Sequence, residues 1–99
     1  MAFHQRKEEK MRDIAFTTHI FKEGDTYVAY VPELDISSCG ESANEARKNI
    51  LDAVQGFLET CADMGTLNEI LDEAGYHRQG DNWLPPEFVS LDRLTLSVK

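Results

Sequence analysis

Basic residues are scarce in this chain. Ten lysines and arginines stand against eighteen aspartates and glutamates, a formal net charge of -8 over 99 residues. Unaided binding to a phosphate backbone needs the opposite balance and is not expected. Two cysteines, Cys39 and Cys61, are too few for a disulfide scaffold. With no secretion-type leader in the sequence, the expected compartment is the reducing cytoplasm. The apolar runs fall far short of the roughly 18 residues that a membrane span needs, so no membrane partner is expected. The six glycines are scattered and form no phosphate-cradling loop. Repeats and low-complexity runs are also lacking. What is present is an apolar fraction of 41%, enough for one core. A chain below about 150 residues is expected to make a single domain, and one this small gains burial from a partner or from a second copy of itself.

The charge is unevenly spread. Arg6, Lys7, Lys10 and Arg12 face only Glu8 and Glu9 in the first twelve residues, so residues 13–99 hold six basic and sixteen acidic groups, net -10. Residues 1–12 read as a flexible polar leader, with Met11 as an alternative start, and residues 13–99 as the domain.

The stretch Asp13–Phe21 is rich in β-branched and aromatic residues and reads as a strand. A glycine-containing turn at Lys22–Asp25 leads into a second strand, Thr26–Val31, and the two make a hairpin. Pro32 ends it, and a third short strand fits Ile36–Cys39. Ser42 with Glu45 three residues later is a capping box. Apolar residues then recur at Ala46, Ile50, Ala53, Val54, Phe57 and Cys61, one face of a helix that ends at Met64-Gly65. Phe57 is its expected largest buried anchor. Thr66 and Glu69 form a second capping box for a short helix, Leu67–Ala74, stopped by Gly75, with Tyr76 packing back over its end. Residues 77–82 read as a loop, and the pair Pro85-Pro86 excludes Trp83–Pro86 from a central strand. Leu94, Leu96 and Val98 alternate with Thr95 and Ser97 and read as a terminal strand. The expectation is an α+β fold: a single antiparallel sheet with one long helix and a short second helix. Strands 1 and 2 carry apolar residues on both parities, which argues for self-association, as a homodimer or tetramer, across the uncovered sheet face.

Chemistry is harder to find. His4, His19 and His77 stand at no metal-ligand spacing from one another or from a cysteine. Cys61 lies on the core face of the long helix and reads as a small packed hydrophobe. His19 near Thr17 and Thr18 lacks a third group to orient it. The expectation is no catalytic residue, no metal and no cofactor.

The stretch from Gly24 through Ile50 resembles the HicB family of antitoxins and HicB-like solitary proteins. The resemblance rests on Gly24, Tyr27, Val28, Ala29, Pro32-Glu33-Leu34, Cys39-Gly40, Ser42, Glu45-Ala46 and Asn49-Ile50, and covers about residues 13–62. It implies a β-β-β-α-β unit described as a partial ribonuclease H-like fold, and a partner: a small basic HicA-like toxin that cleaves messenger RNA and is blocked by the HicB-like protein. Three features depart from the family pattern. Ser37-Ser38 replaces a Pro-Gly before the cysteine, Asn44 stands where an acid is common, and residues 66–99 contain no helix-turn-helix or ribbon-helix-helix pattern. Direct DNA binding is therefore not expected.

Two functional classes remain open. The first is an interaction protein that masks a basic RNA-cleaving partner, with Glu33, Asp35, Glu41, Glu45 and Asp52 as the expected contact surface. The second is a solitary HicB-like scaffold or a small ligand-binding or metabolic domain. That reading would need a pocket between the long helix and Trp83, lined by Tyr27, Tyr30 or His19.

Overall fold

The computed structural model describes residues 12–99, so His4, Met11 and all of the basic leader but Arg12 lie outside the described residues. The fold is α+β, as the sequence leads one to expect. Three antiparallel strands, β1 (His19–Glu23), β2 (Thr26–Val31) and β3 (Ile36–Gly40), form a sheet in the order β1-β2-β3. A long helix, α1 (Ala43–Met64), and a short one, α2 (Leu67–Glu73), follow. A small hairpin of β4 (His77–Gln79) and β5 (Asn82–Leu84) forms a second sheet.

Register explains which sheet face is buried. Ile20 pairs with Ala29, and Ala29 with Ser38. Paired residues share a face and alternate along a strand, so Ile20, Tyr27, Ala29, Val31 and Ile36 point together toward α1. Ala29, Val31, Ala46, Ile50 and Val54 form the first core, with Phe16, Ile20 and Leu58 packed against it. The opposite face carries His19, Phe21, Val28, Tyr30, Ser37 and Cys39, and no element of the described chain is layered over it in the way α1 covers the first.

The helix start follows the sequence signal. Ser42 Oγ accepts from the Glu45 amide at 3.0 Å. The Glu45 carboxylate accepts from the Glu41 amide, one residue before the expected reciprocal partner. Gly65 ends α1 in the left-handed region at φ 76° and returns its amide to Ala62 O. Gly40 lets β3 run directly against the first turn, because a Cβ there would lie 2.7 Å from the Ala46 backbone nitrogen. Asn49 Nδ2 donates to Cys39 O at 2.8 Å and pins the same junction.

Several expectations are corrected. Phe57 is only half-buried. The stripe that reaches the core is Ile50, Val54, Leu58 and Cys61, because α1 lies over two clusters in turn and Phe57 falls on its flank. Ile50, fully buried, is the larger anchor. Thr66 makes no side-chain cap for α2; its hydroxyl instead donates to Cys61 O at 3.4 Å. Residues 77–82 are not a loop but the arms and turn of the β4–β5 hairpin, with Gly80-Asp81 as the two-residue turn between Gln79 and Asn82. The sheet is therefore not single. The segment ahead of β1 meets β5 through a parallel bridge between Ile14 and Trp83, with the Trp83 amide donating to Asp13 O at 2.8 Å and the Ala15 amide to Trp83 O at 3.3 Å. That bridge, rather than a continuous strand from Asp13, is what residues 13–15 form. Trp83, Leu71 and Tyr76 make the second core.

The terminal strand at Leu94–Val98 is absent from the described structure. Residues 86–99 are exposed throughout and belong to no strand. A strand needs a neighbour to accept its backbone hydrogen bonds, and residues 94–98 pair with no strand among the described residues.

Candidate partner-binding surface

The five acids expected to form one contact surface are placed in three locations. Glu33 and Asp35 lie in the β2–β3 connection, Glu41 and Glu45 at the far end of β3, and Asp52 midway along α1. Five strand residues separate the first two pairs, roughly 16 Å at about 3.3 Å per residue. They do not converge on one point.

Four of them have partners within the chain, Glu45 through the Glu41 amide at the start of α1. Glu33 takes the Thr17 amide on both carboxylate oxygens, at 3.0 and 3.1 Å. This clamps the segment ahead of β1 onto the β2–β3 connection. Asp35 sits at φ 55° and accepts from the Tyr30 hydroxyl at 3.0 Å. That bond, with a lesser contribution from burial, raises the Tyr30 pKa. Asp52 pairs with Lys48 at 3.3 Å in an exposed i,i+4 contact, an arrangement worth about 0.3–0.5 kcal/mol.

A denser acidic surface lies elsewhere. Asp52, Glu59, Asp63, Glu69, Asp72 and Glu73 are all exposed, and residues 49–77 contain no lysine or arginine at all. Neither α1 nor α2 has a basic residue in its last turn. Asp63, Asp72 and Glu73 sit instead near helix C-termini, where a negative charge opposes the helix dipole. Those three acids do not serve the stability of their own helices, whereas Glu69, in the first turn of α2, does. The signal was present in the sequence as a run without cations, and a search centred on residues 33–52 passes over it.

The uncovered face of the sheet is aromatic. His19 and Tyr30 meet edge to face at 6.4 Å, and Phe21 is 45% exposed. The His19 Nε2 atom is buried without a hydrogen-bond partner among the described residues. Tyr27 belongs to the other face, where Lys22 lies 5.5 Å above its ring. Trp83 is 2% exposed, so it forms core and not the wall of an open site. The Arg78 guanidinium lies 5.1 Å from its ring centre. Tyr76 donates to Ala15 O at 2.6 Å; burial, and secondarily the Glu33 charge, push its pKa up to about 12. The expected pocket between α1 and Trp83, lined by Tyr27, Tyr30 or His19, does not form with those residues. An open groove of about 980 Å³ lies instead between residues 12–16 and α1, its apolar wall formed by Ile14, Phe16, Leu51, Val54 and Leu58.

Among the described residues no group of three or more His, Cys, Asp or Glu is placed to hold a metal ion. Cys61 is buried and Cys39 exposed, both as free thiols. No described helix is long and apolar enough to cross a membrane. No family model matches the chain, and neither a curated protein nor a solved structure matches it.

Proposed function

We propose that this domain is an interaction protein that masks a small, basic, RNA-cleaving partner and performs no chemistry of its own. The carrying observation is the acidic surface of the C-terminal half of α1 and of α2, which carries no lysine or arginine and whose Asp63, Asp72 and Glu73 gain nothing from the helix dipoles. Such a surface accelerates encounter with a basic protein and repels RNA from whatever it covers. The resemblance of residues 13–62 to HicB-like antitoxins supports the same reading and gives the partner its class, a HicA-like toxin. Glu33 and Glu45 act mainly in the fold, whereas Glu41, Asp52 and the acids of residues 59–73 meet the partner.

The test is a pull-down from the native lysate, followed by an RNA-cleavage assay on the basic protein recovered. The expected result is cleavage by that protein alone, arrest when the chain is added, and association that slows as salt rises. Undiminished cleavage at saturating chain overturns the reading.

The groove between residues 12–16 and α1 favours a second reading, a small apolar ligand in a HicB-like scaffold. Stabilisation of the purified chain by a small apolar molecule, abolished by Leu51→Asp, would support it; masking predicts no such dependence.

A further inference from the structure

The C-terminal segment has the pattern of a strand and the exposure of an unfolded chain. Leu94, Leu96 and Val98 are 87%, 89% and 89% exposed, and Phe88, Val89 and Leu91 are exposed with them. Its root is fixed: β5 is bridged to Ile14, and Pro86 Cγ lies 3.1 Å from where a Gly75 Cβ would be. An alternating apolar arm held at its base and bare along its length lacks a receiving surface.

That surface is present on the same chain. Among the described residues the outer edge of β1 has no strand neighbour, β2 being its one partner in the sheet. Beside it runs an open slot of about 760 Å³, walled by residues 18–21 on one side and residues 91–94 on the other. An unpaired edge next to a gap accepts an added strand. His19 lines this slot, and its Nε2 is one of two buried side-chain atoms, with Trp83 Nε1, that have no hydrogen-bond partner among the described residues.

We infer that two copies exchange arms, residues 94–98 of each adding a strand along the β1 edge in the slot of the other. Charge selects this occupant. Residues 13–84 hold fourteen acids and four bases, net -10, whereas residues 85–99 hold two of each and are neutral. Two acidic bodies repel one another; a neutral arm approaches an acidic body without that cost. Thr95 and Ser97, alternating with the apolar residues, bring hydroxyls within the reach of a strand beside His19. The contact is isologous and closes at two copies, because each supplies one arm and one slot. This inference is independent of the masking reading: arm exchange leaves α1 and α2 facing outward.

Sedimentation of the full chain tests it. The expected mass is twice 11.2 kDa, falling to a single chain for the triple variant Leu94→Asp, Leu96→Asp, Val98→Asp, with the helical circular dichroism unchanged. A second measurement localises the contact. Chains carrying Phe21→Cys are mixed with chains carrying Ser97→Cys, which the added strand places on the same sheet face, both in a Cys39→Ser background, and a disulfide linking the two different chains is expected under mild oxidation. A full chain that sediments as a monomer, a triple variant that stays dimeric, or a dimer in which that cross-link does not form would each overturn the proposal.

Discussion

Residues 13–84 and the arm that follows them use the same kind of sequence and reach opposite ends. In β2 the alternation of apolar positions becomes burial: Ala29 and Val31 are fully covered by α1. In the arm, Leu94, Leu96 and Val98 alternate as cleanly and stay bare. The difference lies not in the pattern but in the surface opposite. A period of two specifies a strand face, and only a neighbour turns that face into a core.

The comparison can be broken first at the second core. Trp83→Ala removes the largest fully buried side chain and is expected to cost about 3–5 kcal/mol in denaturant unfolding. Ile50→Ala in the first core should cost about 2–5 kcal/mol, and more than Phe57→Ala, since Phe57 is half-buried. An equal or larger loss at Phe57 would mean that the helix is rotated from the position described. Ser42→Ala, which deletes the α1 cap, should cost about 0.5–2 kcal/mol.

A subtler effect comes from Tyr76. Its folded pKa stands at about 12, above an unfolded value of about 10. The proton is therefore held more tightly in the folded state. The stabilisation is complete below about pH 10 and is lost as pH rises toward about 12. Unfolding measured across that window should show the decline, and Tyr76→Phe should flatten it. The smallest effect is expected in the arm: under conditions where the chain is monomeric, Leu96→Asp should change unfolding stability by no more than about 0.5 kcal/mol.

Most local signals in the sequence carried through to the structure. Ser42 caps α1, although Glu45 returns to the Glu41 amide and not to that of Ser42. Gly65 needs only its own backbone and ends the helix, whereas the equally local Thr66 cap does not form. Contacts that depend on distant surfaces were less legible. Phe57 and Leu58 are adjacent in sequence, and choosing between them requires the position of the second core. The β4 arm, His77-Arg78-Gln79, is polar, so alternation was silent there, although Gly80-Asp81 is a two-residue turn signal. The alternation of Leu94, Leu96 and Val98 was legible as a pattern, yet residues 94–98 form no strand in the structure. The acids of the candidate surface were legible as residue types. Which of them serve the fold was not: Glu33 clamps Thr17 across sixteen residues, a pairing that no local spacing announces.

The claim that the bare arm is a strand awaiting a second copy is tested most directly by amide hydrogen exchange on the full chain at high and at low protein concentration. The account predicts that amides of residues 94–98 are protected at high concentration, together with the outward-facing amides of His19–Glu23, and that both lose protection on dilution while α1 and the amides that β1 donates to β2 keep theirs. Arm amides that exchange at the unprotected rate at every concentration would contradict it.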